Sequence, residues 1–262
     1  MIEINNKKVK GILIATDKVV SIDEAVDRSK PNGDIIVTSQ SIGSYSFSTC
    51  PITSIECDTA TSIGEYAFCS CKDLVTAIIP NATSMGQYAF SNDNNIITID
   101  VRKVTSLGVG VFYNCSKLLN INASSATSVT SYAFRYCSGI KEIRLPKLSG
   151  TVGQTFQGCT NLETLDLGVC TSMGSNGYGS CSKLSTIVLR KTSICSLGSS
   201  TCLNDTCFKS GGTGGTIYIP KSLYDHLGDG TSSDYKNATN WKVYDGYGTI
   251  TWAKIEGSEW EL

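Results

Sequence analysis

An aromatic side chain returns through the middle of this sequence at a fixed interval. Phe47, Phe68, Phe90, Phe112, Phe134 and Phe156 are followed by Tyr178, first after 21 residues and then after every 22. Three residues behind each stands Cys50, Cys71, Asp93, Cys115, Cys137, Cys159 or Cys181. From the second copy on, Leu74, Ile96, Leu118, Ile140, Leu162 or Leu184 opens an L-x-x-L-x-L run. Leu118/Ile121/Ala123, Ile140/Ile143/Leu145 and Leu162/Leu165/Leu167 are examples. The first copy is one residue short and closes with Ile52/Ile55/Cys57. One such unit is too small to bury its own apolar side, so the units must stack on one another. The alternation at the end of each run predicts a short strand with one face inward. Stacked copies put these strands in parallel, about 4.8 Å apart.

Stacking turns each repeated position into a column. The aromatics predict a continuous inner stack. The cysteines predict a column of buried, reduced thiols that act as small apolar plugs. Their side chains run parallel between coils, which keeps the Cβ atoms too far apart for bridging. Asp93 interrupts this column within Ser91-Asn92-Asp93-Asn94-Asn95, where a looser, wetter loop is expected. Tyr45, Tyr66, Tyr88 and Tyr132 form a second ridge, either stacked between coils or open to a glycan or protein.

Composition narrows the function. With 22 basic and 23 acidic residues the net charge is −1, which gives no electrostatic footprint for nucleic acid. No apolar run approaches a membrane span or a signal-peptide core. The single histidine, His226, excludes any site needing two, and it reads as a surface residue of a short cap helix. Ser180-Cys181-Ser182-Lys183 matches an S-x-x-K pattern, but Cys181 and Leu184 are column positions, so the match reads as chance. Cys69/Cys71 and Cys195/Cys202/Cys207 lack the C-x2-C pairs of a structural zinc site. Cys202–Cys207 is the pair the spacing offers for a disulfide in an exported chain. The expectation is no enzyme, no metal and no cofactor.

The unit Ser62-Ile63-Gly64-Glu65-Tyr66-Ala67-Phe68-Cys69-Ser70-Cys71-Lys72-Asp73-Leu74, ending Ile79-Pro80-Asn81-Ala82-Thr83-Ser84, resembles the BspA-like leucine-rich repeat family of bacterial surface proteins. The likeness runs from about Ser41 to Ser193. It departs at Asp93, at Gly110, at Thr151-Val152-Gly153 and at Asn176-Gly177-Tyr178-Gly179. The resemblance implies a right-handed solenoid used for adhesion or protein binding, located at the cell surface or outside the cell. The fold class is therefore read as an α/β leucine-rich-repeat solenoid, β-rich, with about seven 22-residue coils, parallel short strands and non-repeat caps. A structural or receptor-binding component of a phage particle or other assembly is the alternative, because no signal segment is visible.

Three regions follow. Residues 1–40 are an N-terminal β cap or attachment segment, with strands at Lys8 to Ala15, Lys18 to Ile22 (around a Thr16-Asp17 turn) and Ile35 to Thr38. Residues 41–193 are the repeats. Residues 194–262 are an irregular last coil and C-terminal cap. In that cap Ile217-Tyr218-Ile219-Pro220 reads as a final strand and Lys221 to Leu227 and Asp234 to Trp241 as helices. Tyr247 to Ile255 reads as a strand, and Trp241, Trp252 and Trp260 as packing residues.

The candidate binding face lies on the outward strand positions, which pair as Thr76/Ile78, Thr98/Asp100, Asn120/Asn122, Glu142/Arg144, Thr164/Asp166 and Thr186/Val188. Arg102 and Arg190 stand at strand ends. The candidate contact residues are Asp100, Arg102, Asn122, Glu142, Arg144, Asp166 and Arg190, with the arginines first because arginine is enriched at binding hot spots. The expected partner is a protein or glycan on a cell surface or matrix, without nucleic acid and without membrane insertion.

Overall fold

The computed structural model describes residues 2–4, 7–9, 11–13, 34–37 and 39–255, with backbone alone up to residue 36. The L-x-x-L-x-L runs form a row of three-residue strands. These are Ser54–Glu56, Thr76–Ile78, Thr98–Asp100, Asn120–Asn122, Glu142–Arg144, Thr164–Asp166 and Thr186–Val188. They pair in parallel and in register, Thr98 lying between Thr76 and Asn120, except at one step described below. The middle residue of most strands points inward and is buried, as in Ile55, Ala77, Ile99, Ile143, Leu165 and Ile187.

A second row of shorter strands, not expected from the sequence, forms separate parallel sheets. It includes Ser41–Ile42, Ser62–Ile63, Ser84–Met85, Ser106–Leu107 and Ser128–Val129, continuing to Ser196–Leu197. The apolar member of each pair enters the same core. Its signal was present in the sequence as a serine before an apolar residue, once per period.

Between the rows the aromatics stack. Phe47, Phe68, Phe90, Phe112, Phe134, Phe156 and Tyr178 are all buried, with successive ring centroids 4.8–6.0 Å apart. The thiols behind them do not face one another. From Cys71 on, each S–H is directed at the aromatic carbonyl of the preceding coil: Cys71 to Phe47 O at 2.8 Å, Cys115 to Phe90 O and Cys137 to Phe112 O at 3.0 Å, Cys159 to Phe134 O and Cys181 to Phe156 O at 3.1 Å. Burial raises the Cys137 and Cys159 thiols well above their usual range, so they stay protonated donors.

The open loop expected at Asp93 does not form. Asp93 is fully buried, because Phe90 and Ile96 on either side of it are anchored in the core. Its Oδ1 accepts the Cys71 N–H at 2.7 Å, and its Oδ2 has no hydrogen-bond partner. Burial pushes its carboxyl well above the usual carboxylate range, and the Cys71 bond offsets part of that rise.

Each coil turns its corner through left-handed residues. Tyr45, Tyr66, Tyr88 and Tyr132 all have positive φ, between 53° and 64°. Tyr45, Tyr66 and Tyr88 stack at 5.0 and 5.1 Å, so the ridge is an inter-coil stack over this stretch. Gly110 takes the next place at φ 57°, and a Cβ there would lie 2.2 Å from the Tyr88 ring. The stack therefore ends by laying its last ring over a glycine. Tyr132 instead carries the Arg135 guanidinium, 5.1 Å from its ring centroid.

The ends extend the strand row. Gly11–Leu13 pairs in parallel with Asp34–Val37, which pairs with Ser54–Glu56. Lys7–Val9 instead pairs antiparallel with Ile2–Ile4, so the strand expected from Lys8 to Ala15 is two elements with different neighbours. The expected Thr16-Asp17 turn, the strand from Lys18 to Ile22 and Trp260 lie outside the described residues. At the other end Gly215–Ile219 pairs with Thr186–Val188 and then with Ile250–Lys254, so it is not the last strand. Among the described residues helix is confined to Lys221–Tyr224 and Trp241–Gly246. The second lies beyond the expected Asp234 to Trp241, where Asp234 accepts the N–H groups of Gly230 and Lys236 and folds the segment into turns.

Trp241, Trp252 and Tyr235 pack together, with centroids 5.1–5.8 Å apart. This cluster grips Cys195 by its backbone. The Cys195 N–H donates to Tyr235 Oη at 2.8 Å, and Trp241 Nε1–H donates to the Cys195 carbonyl at 2.6 Å. The Cys195 Sγ thereby sits 3.1 Å from the Sγ of Cys170 in the adjacent coil. Cys202 and Cys207 direct their thiols to Gly174 O and Ser182 O instead, so the pair offered by spacing is not the pair in contact.

Candidate functional site

The strand row is interrupted once. The bond from Val75 N–H to Thr53 O recurs as Ile97 to Val75, Leu119 to Ile97 and, later, Glu163 to Lys141. The member from Lys141 to Leu119 is missing. On the other edge Cys57 N–H donates to Ile78 O, Ile79 to Asp100 O, Val101 to Asn122 O and Leu145 to Asp166 O, but Ala123 makes no such bond to Arg144 O. The main sheet thus splits in two between Asn120–Asn122 and Glu142–Arg144. Fewer Cα atoms of these two strands approach within 8 Å of one another than in the paired steps on either side.

The split is a wedge, not a break of the chain's core. At the aromatic corner the same two coils remain bonded, through Phe112 N–H to Ala133 O at 2.9 Å and Asn114 N–H to Arg135 O at 2.8 Å. The Phe112 and Phe134 rings still meet at 5.3 Å. The opening faces outward on the strand side. Ile121 is only half-buried there, unlike its counterparts, and Leu119 is 49% exposed. Ala123 puts a single methyl where the neighbouring coils put Val101 and Leu145.

Two adjoining clefts occupy the opening. One, of about 620 Å³, is lined by Ile99, Asp100, Leu119, Ile121, Asn122, Glu142 and Arg144 among others. The second, of about 600 Å³, runs to the strand ends and includes Asn122, Arg144, Lys147, Asp166 and Arg190. The structure therefore brings six of the seven candidate contact residues onto this feature. Arg102 stays at its edge, bonded to Asp100 through Nε at 3.0 and 3.1 Å.

The side chains differ from a uniform outward row. Asn122, Glu142 and Arg144 are exposed, and Arg144 is ion-paired with Glu142. Asp100 and Asp166, expected to point outward, are buried at 8% and 1% exposure, and Val188 is buried too. The reason is local. Arg102 folds back over Asp100, and Arg190 reaches one coil back over Asp166. The two aspartates hold arginines in place and are not open to a ligand. Leu119, Ile121, Lys141 and Lys147 were missed as candidates, because the opening between two coils is a relation that no single repeat displays.

His226, the one candidate for general-base chemistry, is half exposed in the C-terminal segment, with Nδ1 2.6 Å from Asp229 Oδ2. The Thr231 backbone and hydroxyl, with His226, lower the Asp229 carboxyl to about 2. Among the described residues no group of three or more His, Cys, Asp or Glu side chains could hold a metal ion, and no helix is long and apolar enough to cross a membrane.

The model of the BspA type leucine-rich repeat region matches residues 40–155 and 122–229, in six copies. No curated protein matches the sequence. Among solved structures, a leucine-rich repeat protein of T. pallidum aligns with TM-score 0.53 and 20% identity, covering 66% of this chain and 82% of that one. A leucine-rich repeat protein of Bacteroides ovatus aligns with TM-score 0.53 and 17% identity, covering 86% of this chain and 52% of the other. These likenesses show the fold, and the repeat match shows the lineage: the chain belongs to the BspA type leucine-rich repeat family.

Proposed function

We propose that this protein is a non-enzymatic macromolecular binding module, for adhesion or protein–protein interaction, of a bacterial surface or secreted protein. The split in the strand face carries this reading. It is a concave feature on the strand face, with partly buried apolar side chains at its floor and exposed polar and charged groups at its rim. That is the composition of a recognition site rather than of a reaction centre. The family supports the binding role, since its repeats are generally interaction modules. The surface location rests on the same family membership.

The test is saturable binding of labelled protein to bacterial cells, host epithelial cells and immobilised matrix proteins, beside an Arg102→Ala/Arg144→Ala variant. Arg190 is left intact, because removing it would strand a buried aspartate. Binding that weakens in the variant, with an unchanged melt, supports the strand face. Undiminished binding moves the site elsewhere on the surface. Absence of binding to any of these targets favours a structural component of a phage particle or other assembly.

A further inference from the structure

We propose that the slot between Asn120–Asn122 and Glu142–Arg144 accepts an extended polypeptide segment as an inserted strand. This deepens the binding role above by naming the partner's chemistry and rests on it.

Backbone geometry is the first argument. A strand inserted between two others needs twice the usual spacing, about 9.6 Å in place of about 4.8 Å. The slot brings fewer Cα pairs within 8 Å than the paired steps on either side of it, while its two edges stay parallel to their outer neighbours. Both edges have lost bonds that every neighbouring step makes, at Leu119 O and Ala123 N–H on one side and at Lys141 N–H on the other. Unpaired edges of this kind are templates for strand addition, and here two of them face each other.

Side chains set the sequence preference. Alternate residues of an inserted strand face the core, where Leu119 and Ile121 are incompletely covered and Ala123 leaves space. Those positions call for branched apolar residues. The other residues face out between Asn120/Asn122 and Glu142/Arg144. At the strand ends the second cleft carries Lys147 beside two ion pairs, Arg144 with Glu142 and Arg190 with Asp166, so its surplus charge is one cation. The C-terminal end of a parallel insert therefore suits an acidic residue. The occupant is an extended partner segment with alternating apolar residues and an acid near its C-terminal end.

The chain's own repeat supplies a probe. Asn161-Leu162-Glu163-Thr164-Leu165-Asp166-Leu167 has that pattern and already pairs with Glu142–Arg144 within the solenoid. A fluorescein-labelled synthetic peptide of this sequence would be titrated against the full chain, with hydrogen exchange read at the slot-facing amides of Ala123 and Lys141. The expected result is saturable binding, with fast exchange at these amides in the free protein and protection in the complex. Methylating the peptide's alternate backbone nitrogens removes its donors and should weaken binding about tenfold or more.

Slot amides already as protected in the free protein as Ile99 and Val101 would overturn the proposal. So would peptide binding that ignores backbone methylation, protects another surface or fails to occur. If the peptide fails while cell or matrix binding remains sensitive to Arg102→Ala/Arg144→Ala, the slot is wrong and the binding face stands. Protection of the slot by an oligosaccharide instead of the peptide would replace the strand with a glycan and also overturn it.

Discussion

Arg190 reaches back one coil to close over Asp166. Its Nε lies 3.1 Å from both carboxylate oxygens and its terminal nitrogen 2.6 Å from Oδ2. The Gly168 N–H completes the carboxylate at 3.0 Å. Losing one partner of a buried pair leaves an uncompensated charge, so Arg190→Ala should cost about 3 kcal/mol in urea unfolding. An Asp166→Leu/Arg190→Met double variant should recover most of that loss. Equal damage in the two would mean that packing and not charge holds this step. Arg102→Ala, at a more exposed pair, should leave the midpoint nearly unchanged.

Phe134→Ala tests the inner stack. The ring is fully buried between Phe112 and Phe156. Transfer loss plus the residual cavity predicts about 3–5 kcal/mol. A melt indistinguishable from wild type would contradict the core described here.

Asp93→Cys should stabilise the protein and change its response to pH. The native carboxyl is held above its unfolded value by burial, so the folded state keeps a proton that the unfolded state releases. Stability should then fall as pH rises from the ordinary carboxylate range toward the raised folded value. The variant removes an unpartnered buried oxygen, worth about 1–3 kcal/mol, and restores an S–H donor. Its advantage should grow as pH rises above the ordinary carboxylate range and flatten below that range. A gain independent of pH would point to packing alone.

What the sequence disclosed was whatever repeats. Phe134, Cys137 and Ile143 could be placed in the core because each has an equivalent in most other coils. The slot escaped because Leu118, Ile121 and Ala123 obey the pattern faithfully; the lost bonds belong to the space between two coils. Asp100 and Asp166 misled for a related reason. Alternation gives the direction of a side chain from its own strand, but whether a residue from another turn then covers it depends on arginines 2 and 24 residues further along the chain. The left-handed tyrosines were equally hidden, since tyrosine is not a residue whose presence announces positive φ.

Gly110→Ala separates backbone strain from crowding. The site has φ 57°, and the new methyl would press on the Tyr88 ring. Gly150 has φ 82° with nothing within 4 Å of a would-be Cβ. Gly150→Ala should therefore show the strain alone, about 1–2 kcal/mol, and Gly110→Ala should exceed it. Adding Tyr88→Ala to Gly110→Ala should cost less than the two singles together in thermal denaturation. Strict additivity would remove the ring from the account.

Cys170 and Cys195 are the thiols to watch under oxidation. Diamide would join their sulfurs, taking two electrons and two protons from the pair to become the hydrazine. Peptide mapping without reduction should recover a Cys170–Cys195 crosslink ahead of Cys202–Cys207. The reaction should be slow, because both thiols are buried. A dominant Cys202–Cys207 product would show that the C-terminal segment does not hold Cys195 as described.

The cluster that grips Cys195 also gives the molecule a built-in optical address. Every tryptophan of the chain lies at residue 241 or beyond, and none lies within the coils. Emission from Trp241 and Trp252 therefore reports on the terminal seal, whereas far-ultraviolet circular dichroism reports on the whole stack of strands. Because stacked repeats are stabilised mainly by their neighbours, heating curves recorded at the two wavelengths need not coincide. An emission change that comes first would mark unravelling from the carboxyl end. Coincident curves would mean that seal and stack give way as one cooperative body.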